Sequence, residues 1–64
     1  MYIKTVLRNG VPIYINLDQV ACVIPTAQET ELRVILRYKT EYIIKMTMAE
    51  FDEIYGKHNI GKGI

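Results

Sequence analysis

Leu32-Arg33-Val34-Ile35-Leu36-Arg37-Tyr38, Lys39-Thr40-Glu41 and Tyr42-Ile43-Ile44-Lys45-Met46 form the stretch whose reading decides the fold. Two period-two runs flank a short polar link, the pattern of a β-hairpin. An odd-numbered loop puts Leu32, Val34, Leu36, Tyr38, Tyr42, Ile44 and Met46 on one face. A two-residue loop would set Leu36 across from Ile43 and mix the faces. With the loop at 39–41, Arg37 faces Ile43, Ile35 faces Lys45 and Arg33 faces Thr47. The outer face then carries Ile35 and Ile43 as diagonal neighbours, ringed by Arg33, Arg37 and Lys45. The simplest account of that face is the second side of a sheet lying under the N-terminal hairpin.

Working outward, Arg8-Asn9-Gly10 separates two further β-rich runs, 2–7 and 11–15. Asn and Gly both tolerate positive φ, so a two-residue type I′ turn at Asn9-Gly10 is predicted. It sets Arg8 across from Val11 and Leu7 across from Pro12. The nitrogen of Pro12 then points away from its partner, which makes the second strand an edge. Asn16-Leu17-Asp18-Gln19 reads as a tight bend or one helical turn. Val20-Ala21-Cys22-Val23-Ile24 is an unbroken apolar run, expected of a strand covered on both faces and stopped by Pro25. A polar loop, 26–31, leads into the central hairpin.

After Met46 the period changes. Thr47-Met48-Ala49-Glu50 matches a capping box, and Met48, Phe51, Ile54 and Tyr55 share one helical face. The helix is predicted over 48–55, with Gly56 as its stop and Glu50, Asp52 and Glu53 forming a solvated acidic side. Residues 57–64 read as a flexible tail. The fold class is α+β: about five strands in a small antiparallel sheet, ordered hairpin, strand, hairpin, with one C-terminal helix. Residues 1–56 make a single domain.

The totals narrow the function. A chain of 64 residues buries only about 60% of its unfolded surface. Half of its residues are hydrophobic, a surplus that points to a homo-oligomer or a protein partner. A formal net charge of +1 argues against a dedicated electrostatic nucleic-acid binder, though it leaves room for a local basic patch. The single Cys22 allows no internal disulfide, and a cytoplasmic protein fits best. No apolar run approaches the ~18 residues of a membrane span.

Catalytic chemistry finds little to work with. The chain has no serine, one histidine and no paired His and carboxylate. Gly56-Lys57-His58-Asn59-Ile60-Gly61-Lys62-Gly63 comes one residue short of a phosphate-binding loop, but it follows a helix and lacks the hydroxyl for magnesium. Cys22, inside the apolar run, reads as an inert buried thiol. His58 has no fixed partner, and the carboxylates of the helix spread around its polar side. No catalytic residue, metal site or cofactor is predicted. The interaction face is Arg33, Ile35, Arg37, Ile43 and Lys45, for self-association and a protein partner. Phosphate contacts by its three cations are the alternative. A small-molecule site between copies, lined by Tyr14, Tyr38 or Tyr42, ranks third.

Asn9-Gly10, then Ile15-Asn16-Leu17-Asp18-Gln19-Val20, Val34-Ile35-Leu36 and Tyr42-Ile43-Ile44-Lys45, followed by a short acidic helix, resembles the small flagellar and swarming-motility FlbD family over roughly residues 3–55. The same run is similar to the first half of LytTR-type domains, with Met48-Ala49-Glu50-Phe51-Asp52-Glu53-Ile54 in the place of their helix. The resemblance implies a small bacterial or phage regulatory module without catalytic residues. The DNA-reading half of LytTR domains has no counterpart here, so a DNA-binding inference has no matching residues to rest on.

Overall fold

A computed structural model describes residues 1–60, with side chains through Lys57. Five antiparallel strands precede one helix: β1 (Tyr2–Val6), β2 (Pro12–Asn16), a 3-10 turn (Leu17–Gln19), β3 (Val20–Pro25), β4 (Glu31–Leu36), β5 (Glu41–Lys45) and α1 (Met48–Ile60). The strands divide into a two-stranded sheet, β1-β2, and a three-stranded sheet, β3-β4-β5. A single bridge, Leu7 to Ile44, joins the two, with the Arg8 amide donating to the Ile43 carbonyl at 2.9 Å.

Both hairpins turn the same way. The Leu7 amide donates to the Val11 carbonyl (2.8 Å) and the Gly10 amide to the Leu7 carbonyl (2.8 Å). In the second hairpin, Leu36 donates to Thr40 (2.8 Å) and Lys39 to Leu36 (3.0 Å). Each is a three-residue loop whose last residue has positive φ, +92° at Gly10 and +68° at Lys39.

The first loop therefore corrects the predicted two-residue turn. Leu7, not Arg8, lies across from Val11, and Val6 pairs with Pro12. The reason is register: a two-residue loop would set Ile3 against Asn16 and split the isoleucines between faces. The observed register pairs Ile3 with Ile15 and Thr5 with Ile13 on the core side. Asn9 supports the turn by accepting from the Val11 amide at 3.1 Å.

The central hairpin has the odd loop expected, but at 37–39 rather than 39–41. Arg33 faces Ile43, Ile35 faces Glu41 and Glu31 faces Lys45, in place of the predicted Arg37–Ile43, Ile35–Lys45 and Arg33–Thr47 pairs. A loop displaced by two residues keeps the parity of both strands. Leu32 and Ile44 face one another on the core side, as do Val34 and Tyr42. Tyr38, predicted inward, lies in the loop and is 62% exposed.

Lys39 stands where the first hairpin has glycine, and a side chain in the left-handed region is strained by roughly 1–2 kcal/mol. Lys39→Gly is expected to stabilise the protein by about 0.5–1 kcal/mol after glycine's entropic cost, and Gly10→Ala to destabilise it by a similar amount. Urea unfolding midpoints moving in opposite directions check this pair. A midpoint lowered by Lys39→Gly would contradict it.

Ile3, Ile15, Leu17, Leu32, Val34, Leu36, Ile44 and Phe51 form one buried cluster. The N-terminal hairpin thus packs on the inner side of β3-β4-β5, and it does not cover the outer side as the simplest reading of that face supposed. Helix α1 is started by the predicted box: the Glu50 amide donates to Thr47 Oγ1 (3.1 Å) and the Thr47 amide to Glu50 Oε1 (3.0 Å). The Thr47 amide first, and then the Thr47 hydroxyl donating to the same Oε1 at 3.0 Å, hold the Glu50 carboxyl below its usual range. The helix continues through Gly56 to Ile60 instead of stopping. Glycine ends a helix where the chain turns left-handed, and Gly56 does not. Residues 57–60 of the predicted tail are therefore helical, while 61–64, with the end of the glycine-rich run, lie outside the described residues, as does the side chain of His58.

Candidate interaction surface

Alternation along β4 sends Leu32, Val34 and Leu36 into the core and Arg33 and Ile35 outward. On β5 Ile43 and Lys45 share that outward side, and on β3 Cys22 lies beside Ile35 and Ile24 beside Arg33. The outer face thus reads Ile24–Arg33–Ile43 in one row and Cys22–Ile35–Glu41 in the next. Ile35 and Ile43 are half-buried by their neighbours, while Cys22 and Ile24 are exposed, Ile24 by 43%.

Two sequence readings change here. Cys22 is exposed rather than buried, and β3 is covered on one side only. An apolar run alone cannot distinguish a strand buried on both faces from an edge strand whose outer face is apolar. A bulge between Val20 and Cys22 also shifts the run's alternation.

Charges frame the face. Arg33 lies 3.9 Å from Glu41, and Glu31 stands opposite Lys45. Arg8 donates from Nε (3.1 Å) and Nη2 (2.8 Å) to one oxygen of Glu31. Since β5 lies between Arg8 and β4, this side chain crosses β5 on the outer face. The bond to Glu31 holds the Arg8 guanidinium above its already high pKa. Of the five predicted residues, Arg33, Ile35, Ile43 and Lys45 come together on the strands, while Arg37 belongs to the turn. Sequence reasoning missed Arg8, Cys22, Ile24, Glu31 and Glu41. The parity of Cys22 and Ile24 within their run was the available signal, while the place of Arg8 follows only from the register.

Of the four edge strands, β2 and β3 are closed to strand addition in part. Leu7 and Val11 are hydrogen-bonded across β1-β2, so the next residue, Pro12, turns its nitrogen to the outside of β2, as the edge reading predicted. Thr26 donates to Glu31 at 3.4 Å, so by alternation Pro25 turns its nitrogen to the outside of β3. The missing donors on β2 and β3, together with the β3 bulge, discourage pairing of these two strands with another chain.

The concave sites are small. A hollow of 340 Å³ is lined by Leu7, Arg8, Asn9, Glu41, Tyr42 and Ile43, and a groove of 220 Å³ runs between β3 and α1 beside Cys22 and Tyr55. Tyr14, Tyr38 and Tyr42 do not converge: Tyr14 is on the outer side of β2, Tyr38 in the turn and Tyr42 against the core. Among the described residues no group of His, Cys, Asp or Glu could hold a metal ion, and no helix is long and apolar enough to cross a membrane. Comparison with protein-family models, curated proteins and solved structures gives no match to this chain.

Proposed function

We propose that this chain is a small non-enzymatic interaction module that self-associates and docks a protein partner through the outer face of β3-β4-β5. The observation that carries the reading is the pairing of an apolar outer face with impeded edges. Cys22, Ile24, Ile35 and Ile43 surround the Arg33–Glu41 pair, while Pro12, Pro25 and the bulge oppose strand addition. Exposed apolar side chains grouped around an arginine are the composition of a protein interface. Contact is therefore made face to face.

Size sets the strength. Three strands about 4.8 Å apart and roughly five residues long present a patch on the order of 14 by 17 Å. That is well below the roughly 800 Å² per partner of a standard interface. The association expected is weak, on the order of tens of micromolar, and suits a regulatory module. The FlbD-like resemblance supports a bacterial or phage setting and a cytoplasmic location. A basic-face nucleic-acid regulator using Arg33, Arg37 and Lys45 is the weaker reading, because Glu31 and Glu41 stand among those cations.

Ile24→Lys replaces the exposed isoleucine of the patch on β3 by a charge without entering the core. It should weaken self-association at least tenfold in sedimentation equilibrium. An association constant unchanged by Ile24→Lys would refute the assignment of this face.

A further inference from the structure

The outer side of the β1-β2 hairpin carries a second surface, separate from the one assigned to self-association. Its residues are Tyr2, Lys4 and Val6 on β1 and Pro12, Tyr14 and Asn16 on β2. Tyr2 is 67% exposed and Tyr14 68%, the most exposed large apolar side chains among the described residues. Lys4 stands directly across from Tyr14, and Tyr2 faces Asn16, so Tyr2 and Tyr14 are diagonal neighbours with Lys4 beside both. Such neighbours are separated by about 7–8 Å, close to the step between nucleotides in an extended single strand.

The charge on this surface has one sign. None of its six residues is acidic, and Lys4 makes no ion pair among the described residues. The nearby Asp18 is occupied by the Met1 amino group at 3.3 Å. The outer face of the other sheet differs, since carboxylates stand among its arginines.

We propose that Tyr2, Lys4 and Tyr14 form a stacking platform for single-stranded nucleic acid. Two unpaired bases lie on the two rings, and Lys4 contacts the phosphate between them. Stacking on exposed aromatics is tolerant of sequence because every base has a π-face. It also needs little net charge, which reconciles the platform with a chain of formal charge +1. A protein partner would find a single cation and no pocket here, whereas an extended strand of bases matches both the rings and the charge.

The test is a titration of a ten-nucleotide oligothymidylate into the full chain, followed by amide chemical shifts at 50 and 200 mM salt. Tyr14→Ala and Tyr2→Ala should each weaken binding roughly 5- to 100-fold, and Tyr14→Phe should retain it. With the one phosphate contact of Lys4, affinity should fall about 3-fold between the two salt concentrations. Three contacts through Arg33, Arg37 and Lys45 would instead give roughly 20-fold. Both tyrosines are exposed, and far-UV circular dichroism verifies that the alanine variants fold.

The proposal is overturned by no binding at millimolar protein, by equal affinity for a blunt duplex, or by unchanged affinity in Tyr14→Ala. The Ile24→Lys variant, altered on the other sheet, should bind the oligonucleotide as the parent does. Its loss of binding would place the site on the wrong sheet.

Discussion

Ile44→Ala is expected to lower the unfolding free energy by about 3–4 kcal/mol, the upper part of the range for deleting a buried aliphatic side chain. Ile44 has no exposed surface. It faces Leu32 across β4-β5 and forms the bridge to Leu7 that joins the two sheets. Few shell residues can collapse into the space, because strands flank it on both sides. A chain of this length has roughly 3–10 kcal/mol of stability in all, so the substitution removes about a third of it or more. Ile35→Ala, one strand away but on the outer face, should cost under about 1 kcal/mol. Urea unfolding of both variants, with the denaturant slope unchanged, measures the difference. Equal costs would mean that the inside and outside of the sheet are misassigned.

Phe51→Ala should release α1, at a cost of about 3 kcal/mol. Phe51 is the one buried core side chain of the helix among the described residues, and it stacks on Tyr55 at 5.8 Å between ring centroids. Met48 and Ile54 only border the core. The helix has 13 residues and a glycine in its second half. Isolated helices of that length are marginal in water. Undocking should therefore melt it, even with the Thr47–Glu50 box in place. Loss of helical circular dichroism beside retained hydrogen-exchange protection in β4 and β5 is the expected result. Full helical signal in the variant would show that the helix stands without its anchor.

These two side chains also show what was legible in the sequence. Leu32, Val34, Leu36 and Ile44 announced themselves by period two, and the core contains all four. The capping box named the start of α1 correctly, because it depends on residues three apart. Registers were harder. Asn9-Gly10 suits a two-residue turn as well as a three-residue one, and the pairing of Ile3 with Ile15 decided between them. Lys39 gave no turn signal, since lysine seldom adopts positive φ. The turn was consequently read two residues late, and the neighbours of Ile43 with it. The apolar run of β3 hid an edge, because its exposed side is apolar too. The Tyr2–Lys4–Tyr14 surface stayed unseen until the register of β1 and β2 set those three side by side.

Contact between copies through the outer face of β3-β4-β5 is the property on which the proposed function depends. Sedimentation equilibrium of the parent chain, Ile24→Lys and Tyr14→Lys, from micromolar to several hundred micromolar protein, tests this most directly. The parent and Tyr14→Lys should reach the dimer with constants in the tens of micromolar, and Ile24→Lys should be at least tenfold weaker. A parent that stays monomeric at several hundred micromolar, or a dimer that Ile24→Lys leaves intact, would contradict it.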